Sequence, residues 1–278
     1  MSFSKTLLGP IGIFDSGYGG LTVLDSIRQQ LPQYDYLYLG DNARNPYGPR
    51  SFEVVYEFTL QAVKKLFDMG CPLVILACNT ASAKALRSIQ QNDLPYLDNT
   101  RRVLGVIRPT VEAVGTLTQT HHIGVMGTVG TIRSQSYTME VEKLYGDIQV
   151  VGEACPMWVS LVENNEYNSP GADYFIKQHI DNLLAQDKDI DCVILGCTHY
   201  PLLLKKIHEY MPPNIQVISQ GNYVASSLAN YLERHPEISS RCRQGGHTEF
   251  FTTESPERFQ ESASIFLQED IDVQHITL

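Results

Sequence analysis

VILACNTAS (residues 74–82) and VILGCTHYP (residues 193–201) share one pattern. Each is an apolar run, a small residue, a cysteine, and then hydroxyl or amide side chains. The apolar run reads as a buried strand, and the polar segment after the cysteine reads as the entry to a helix. A single internal echo of this kind predicts two similar lobes rather than a solenoid.

Working outward from the first copy, strands and helices alternate. IGIF (11–14) reads as a strand, DSGYGG (15–20) as a glycine-rich turn, and 21–31 as a helix with Leu21, Leu24, Ile27 and Leu31 on one face. YDYLYLG (34–40) is the next strand, and Ser51 is placed to cap a helix that runs to residue 69 and stops at Gly70. Around the second copy, 122–127, 148–153 and 191–196 read as strands, 131–146 and 172–185 as helices. Beyond residue 214 follow IQVIS, a helix at YVASSLANYLERH, the strand TEFFTT and a helix at PERFQESASIFL. Repeated strand–turn–helix units predict an α/β fold: two lobes, each a mainly parallel sheet flanked by helices, with the active site in the cleft between them. Ligands of open α/β sheets bind beyond the carboxyl ends of the strands, where both cysteines fall.

The totals fit a folded chain. It has 278 residues, 43% of them hydrophobic and 19% charged, enough to bury a large core or two moderate ones. A formal charge of −10 argues against a nucleic-acid partner, which needs a basic surface. No apolar stretch approaches the ~20 residues that span a bilayer, so no membrane partner is expected. MSFSKTLLGPIGIFD at the N-terminus has no signal-peptide pattern; a cytoplasmic location is the expectation. There the six cysteines should be free thiols, and the absence of any C-x-x-C pair speaks against structural zinc or a thioredoxin-type motif.

The residues offer five candidates for chemistry. Cys78 and Cys197 sit where helix N-termini would lower a thiol's pKa and favour thiolate; Cys71, Cys155, Cys192 and Cys242 read as inert buried filler. In FDSGYGGLT (14–22), Asp15 ends a strand and the glycines let a ligand approach, although Asp15 or Ser16 could equally be a helix cap. NPYGP (45–49) is a shaped loop displaying Tyr47, or simply a β-turn. His199, two residues past Cys197, has a side chain suited to proton exchange near neutral pH; a metal role would need ligands that the spacing does not supply. GTVGTIRS (127–134) adds hydroxyls for an anion, or N-caps at Thr128 or Thr131.

Taken in order, FDSGYGGLTVL, LGDNARNPYG, ACNTAS, GVIRP, GTVGTIRS, CPMWVSLVE and LGCTHYPLL resemble the cofactor-independent aspartate/glutamate racemase superfamily, and within it the glutamate racemases. The resemblance implies interconversion of L- and D-glutamate without metal or pyridoxal phosphate, for peptidoglycan synthesis, by an enzyme of a type that is commonly a homodimer. It places the two catalytic cysteines on Cys78, which takes the proton from D-glutamate, and Cys197, which takes it from L-glutamate. It places Asp15 beside the first as a proton-transfer aid, and His199 beside the second with Glu163 grouped to it. Substrate contacts fall on Asp15, Ser16, Tyr47, Gly48, Asn79, Thr80, Thr198 and His199. The expected lobes are 1–106 with 219–278, carrying Asp15, Tyr47 and Cys78, and 107–218, carrying Glu163, Cys197 and His199. Asn42, Asn45 and Arg108 depart from the family pattern, which usually has Thr, Val and an acidic residue there. Competing readings are an aspartate racemase, a non-catalytic amino-acid-binding module, and a thiol oxidoreductase.

Overall fold

The computed structural model describes residues 8–267 and 269–278; the first seven residues of the stretch read for a leader lie outside them. The ten strands are β1 (Ile11–Asp15), β2 (Tyr36–Gly40), β3 (Leu73–Leu76), β4 (Arg102–Gly105), β5 (His122–Gly127), β6 (Gln149–Ala154), β7 (Cys192–Gly196), β8 (Gln216–Ile218), β9 (Thr248–Thr252) and β10 (Val273–His275). They form a six-stranded sheet in the order β10-β9-β2-β1-β3-β4 and a four-stranded sheet in the order β6-β5-β7-β8. Pairing is parallel throughout both sheets.

The two sheets repeat one topology. Counting within each, both run second-first-third-fourth: β2-β1-β3-β4 and β6-β5-β7-β8. The larger sheet adds β9 and β10 beyond β2. In this order the chain reverses its direction of winding between first and third strands, which opens a crevice at their carboxyl ends. The two copies of the cysteine pattern are the ends of the third strands, β3 and β7.

Parallel sheets need apolar cover on both faces, and these strands read accordingly. Every residue of β1, β2, β3 and β7 is buried. On one face of the larger sheet, Ile11, Ile13, Tyr36 and Ile75 pack with Leu21, Leu24 and Ile27 of helix Leu21–Gln30 and with Val224 and Leu228 of helix Gly221–Arg234. On the other face, Phe14, Leu39 and Val74 meet Val55, Val63 and Leu66 of helix Phe52–Asp68. That helix starts as its sequence predicts, with the Ser51 hydroxyl accepting from Val54 N–H at 3.3 Å. It stops where Gly70 adopts φ +93°, a conformation that costs glycine little. Among the described residues no helix is long and apolar enough to cross a membrane.

One local expectation fails for an identifiable reason. The segment 131–146 is not one helix: Val129–Arg133 and Ser136–Leu144 are separated at Gln135, which has φ 54°. The Ser134 hydroxyl there donates to Thr131 O and accepts from Ser136 N–H, so a side chain competes for backbone partners and interrupts the helix. The edge strands β4 and β10, four and three residues long, lie outside the segments read as strands above.

Candidate active site

A cavity of about 200 Å³ opens between the carboxyl ends of the two sheets. Cys78 and Cys197 both line it, one from each sheet's third strand. Ser16, Tyr47, Gly48, Asn79, Thr80, Glu163, Thr198 and His199 line it as well. Asp15 stands apart: it is fully buried behind that wall, at the end of β1.

Cys78 is the N-cap of helix Asn79–Lys84, and its Sγ accepts from Ala81 N–H at 3.4 Å. The thiol also lies 3.4 Å from Ser16 Oγ. The expectation that the helix end would lower its pKa is not met. Burial, with the neighbouring Asp15 carboxyl adding to it, outweighs the Ser16 and Ala81 contacts and pushes the thiol up to about 12. Cys78 is thus a thiol at neutral pH. Asp15 itself is raised, chiefly by burial, against the opposing pull of His199. Its Oδ2 accepts from Gly17 N–H at 2.9 Å, while Oδ1 is buried with no protein partner. An unpartnered buried carboxyl oxygen is costly.

Cys197 has different neighbours. His199 Nδ1 lies 3.9 Å from its Sγ, and His199 Nε2 lies 2.9 Å from Glu163 Oε1. Burial alone would lower the imidazole pKa, but acceptors at both ring nitrogens, Cys197 and Glu163, raise it to about 10. The ring is therefore an imidazolium across the neutral range, with one N–H toward the sulfur and one toward the carboxylate. Close approach of the lobes makes room for this only because residue 19 is glycine. A Cβ there would stand 2.3 Å from Thr198 Oγ1 and 2.4 Å from His199 Nδ1.

The remaining lining is rich in neutral donors. Thr80 and Thr128 hydroxyls meet at 2.9 Å across the cleft. Thr128 also caps helix Val129–Arg133, accepting from Thr131 N–H, as its N-cap reading expects. Asn79 is anchored from behind: its Oδ1 accepts from Tyr137 at 2.7 Å and its Nδ2 donates to Gln220 at 2.5 Å. Gln220 Nε2 in turn donates to Tyr137 and Thr110. This leaves one Asn79 N–H for the cavity.

Three details differ from expectation. Tyr47 is not displayed on its loop; it is 1% exposed, packed near Phe14 and Phe58, and its hydroxyl donates to Asp41. Cys155, read as inert filler, forms part of the cavity wall, although burial pushes its thiol well above the ordinary range. Asn45, Ser160 and the Tyr137–Gln220 pair belong to the site or its support and were not singled out as site residues. For Asn45 and the Tyr137–Gln220 pair the signal is tertiary, since their contacts span elements far apart in sequence. Cys71, Cys192 and Cys242 are buried free thiols raised to about 12 by burial, away from the cavity.

Comparison with known proteins places this arrangement. Residues 11–227 match the model of the Asp/Glu/hydantoin racemase family. A glutamate racemase of Ruegeria sp. is 40% identical over 274 residues, covering 94% of this chain and 97% of that protein. The crystal structure of a glutamate racemase isoform from Bacillus anthracis superposes with a TM-score of 0.88 at 35% identity, covering 97% of this chain and 98% of that one. A glutamate racemase from Francisella tularensis, solved in complex with D-glutamate, gives 0.86 at 30% identity, with 97% of each chain covered. With a cavity flanked by two sulfurs and this extent of likeness, the chain belongs to the Asp/Glu/hydantoin racemase family of isomerases.

Proposed function

We propose that the chain is a glutamate racemase that interconverts L- and D-glutamate by two-base chemistry at Cys78 and Cys197, without a cofactor. The observation that carries this reading is that the two sulfurs enter one cavity from facing lobes. Racemisation removes a proton from one face of Cα and returns one to the other. Two acid/base groups on opposite faces do this without moving the substrate.

For L-glutamate, Cys197 as thiolate takes the α-proton and becomes thiol, while the Cys78 thiol delivers its proton to the opposite face and becomes thiolate. D-glutamate runs the same steps in reverse. The His199 imidazolium, held by Glu163, stabilises negative charge on Cys197. Asp15, raised by burial, is placed to exchange a proton with the Cys78 side. The carbanion-like transition state needs donors fixed around the α-carboxylate. Asn79, Thr80 and Thr198 supply them, and Asn79 is held in place by Tyr137 and Gln220. The proposed lobes, 1–106 with 219–278 and 107–218, meet at the Gln220 network, and their closure would exclude water from the reacting carbon.

The test is racemisation of each glutamate enantiomer by purified protein after chelation and treatment with a carbonyl reagent. Sustained turnover supports the reading, and faster turnover of aspartate would transfer it to an aspartate racemase. Binding of glutamate without α-proton exchange would leave only an amino-acid-binding module. Supply of D-glutamate to peptidoglycan follows from the same reading, and a deletion strain should then grow only with added D-glutamate.

A further inference from the structure

Asn45 does not belong to the substrate contacts or proton carriers assigned above, yet it touches the proton relay. It lies on the loop after β2, on the lobe that carries Cys78. Its Nδ2 donates to both carboxylate oxygens of Glu163, at 2.9 Å to Oε1 and 3.1 Å to Oε2. Glu163 ends helix Trp158–Glu163 on the opposite lobe. The same Oε1 receives His199 Nε2 at 2.9 Å, and His199 Nδ1 faces Cys197. One amide therefore reaches across the cleft to the far end of a Cys197–His199–Glu163 chain.

The chemistry of the contact is directional. An amide NH2 only donates, and the Glu163 carboxylate accepts from Asn45 and His199 together. The carboxylate is only partly buried, with its side chain 21% exposed, so without the clamp it could turn toward solvent. The clamp is also local to one sulfur: Cys78 is contacted by Ser16 and Ala81, not by this chain of groups.

We infer that Asn45 is a positioning residue that locks Glu163 against His199 across the lobe boundary, so that the relay serving Cys197 is complete only when the lobes are together. This rests on the two-cysteine reading for its catalytic consequence, though not for its effect on His199. The charged and titratable groups acting on His199 are Glu163 and Cys197, in contact with it, and Asp15; Phe266 packs edge-on against the ring.

The experiment combines Asn45→Val, Glu163→Gln and the double variant with two readouts. The first is the titration of His199 followed by nitrogen NMR in unliganded protein, which requires no turnover. Asn45→Val should lower the His199 midpoint, because a freed carboxylate supports the imidazolium less well, and should not lower it further in the Glu163→Gln background. The second is racemisation. Asn45→Val should reduce kcat about fivefold to tenfold, with KM nearly unchanged and no additional loss once Glu163 is Gln. The two enantiomers have equal free energy, so kcat/KM must fall equally in both directions. An unmoved His199 midpoint, or losses that multiply in the double variant, overturns the inference. A wild-type protein that does not racemise glutamate but shows the His199 shift overturns the substrate reading and leaves the clamp standing.

Discussion

The two lobes share a strand order and place a cysteine at the same point in it, but they treat the sulfur differently. On the first lobe, Cys78 has a serine hydroxyl, a backbone N–H and a buried carboxyl nearby, with burial pushing the thiol to about 12. On the second, Cys197 has an imidazolium backed by Glu163. Repetition of the scaffold supplies two opposed positions. Divergence of the surroundings gives the two sulfurs different partners, a thiol whose proton burial holds firmly on one side and a sulfur facing an imidazolium on the other. On the proposed two-cysteine reading, the fold accounts for the paired positions and the side chains for the difference between them.

The largest expected effect comes from removing either sulfur. Cys78→Ser or Cys197→Ser should slow racemisation by about 10²- to 10⁴-fold, the range for loss of a positioned acid or base, in a coupled assay run from each enantiomer. Normal turnover by either variant would break the equivalence of the lobes. Gly19→Ala should come next. Its added methyl would enter the space of Thr198 and His199, so it should depress kcat/KM strongly while leaving Cys78 titration unchanged; wild-type kinetics would mean the lobes are not closely apposed.

Smaller effects separate the two sulfur environments. His199 is raised from its ordinary value near 6.5 to about 10 in the folded protein. Its partnership with Glu163 therefore adds stability fully below about pH 6.5, a contribution lost as pH rises through about 10. The Tm difference between wild type and Glu163→Gln should be largest at pH 6 and shrink toward pH 10; a difference independent of pH would remove the ion pair from the account. Tyr137→Phe should act least. It removes the hydroxyl that donates to Asn79 and accepts from Gln220, so stability should fall by about 1–3 kcal/mol and KM should rise modestly. Unchanged KM and Tm would show that Asn79 does not depend on this support.

The sequence made the repeated part of the molecule legible. An apolar run ending in cysteine, seen twice, was enough to place both sulfurs at strand ends facing a cleft, because parallel strands buried on two faces leave an unbroken apolar signature. The asymmetric part was harder to read. Glu163 came only from the resemblance, and it reaches the site through its contact with His199; Asn45 stood out only as a departure from the family pattern, and its contact with Glu163 spans 118 positions. Neither carries a local pattern. Gln220 had the same disadvantage, as its partners Asn79, Thr110 and Tyr137 come from three separate helices. The upward shift of Cys78 is not legible in the sequence, because the burial that outweighs the helix end is a property of the packed lobe.

The most direct test of opposed sulfurs is racemisation of a single glutamate enantiomer in D2O, stopped early. Two bases predict solvent deuterium at Cα of the newly formed enantiomer, while the remaining substrate keeps its hydrogen. Deuterium accumulating in unreacted substrate as fast as in product would mean that one group serves both faces, and would contradict the account.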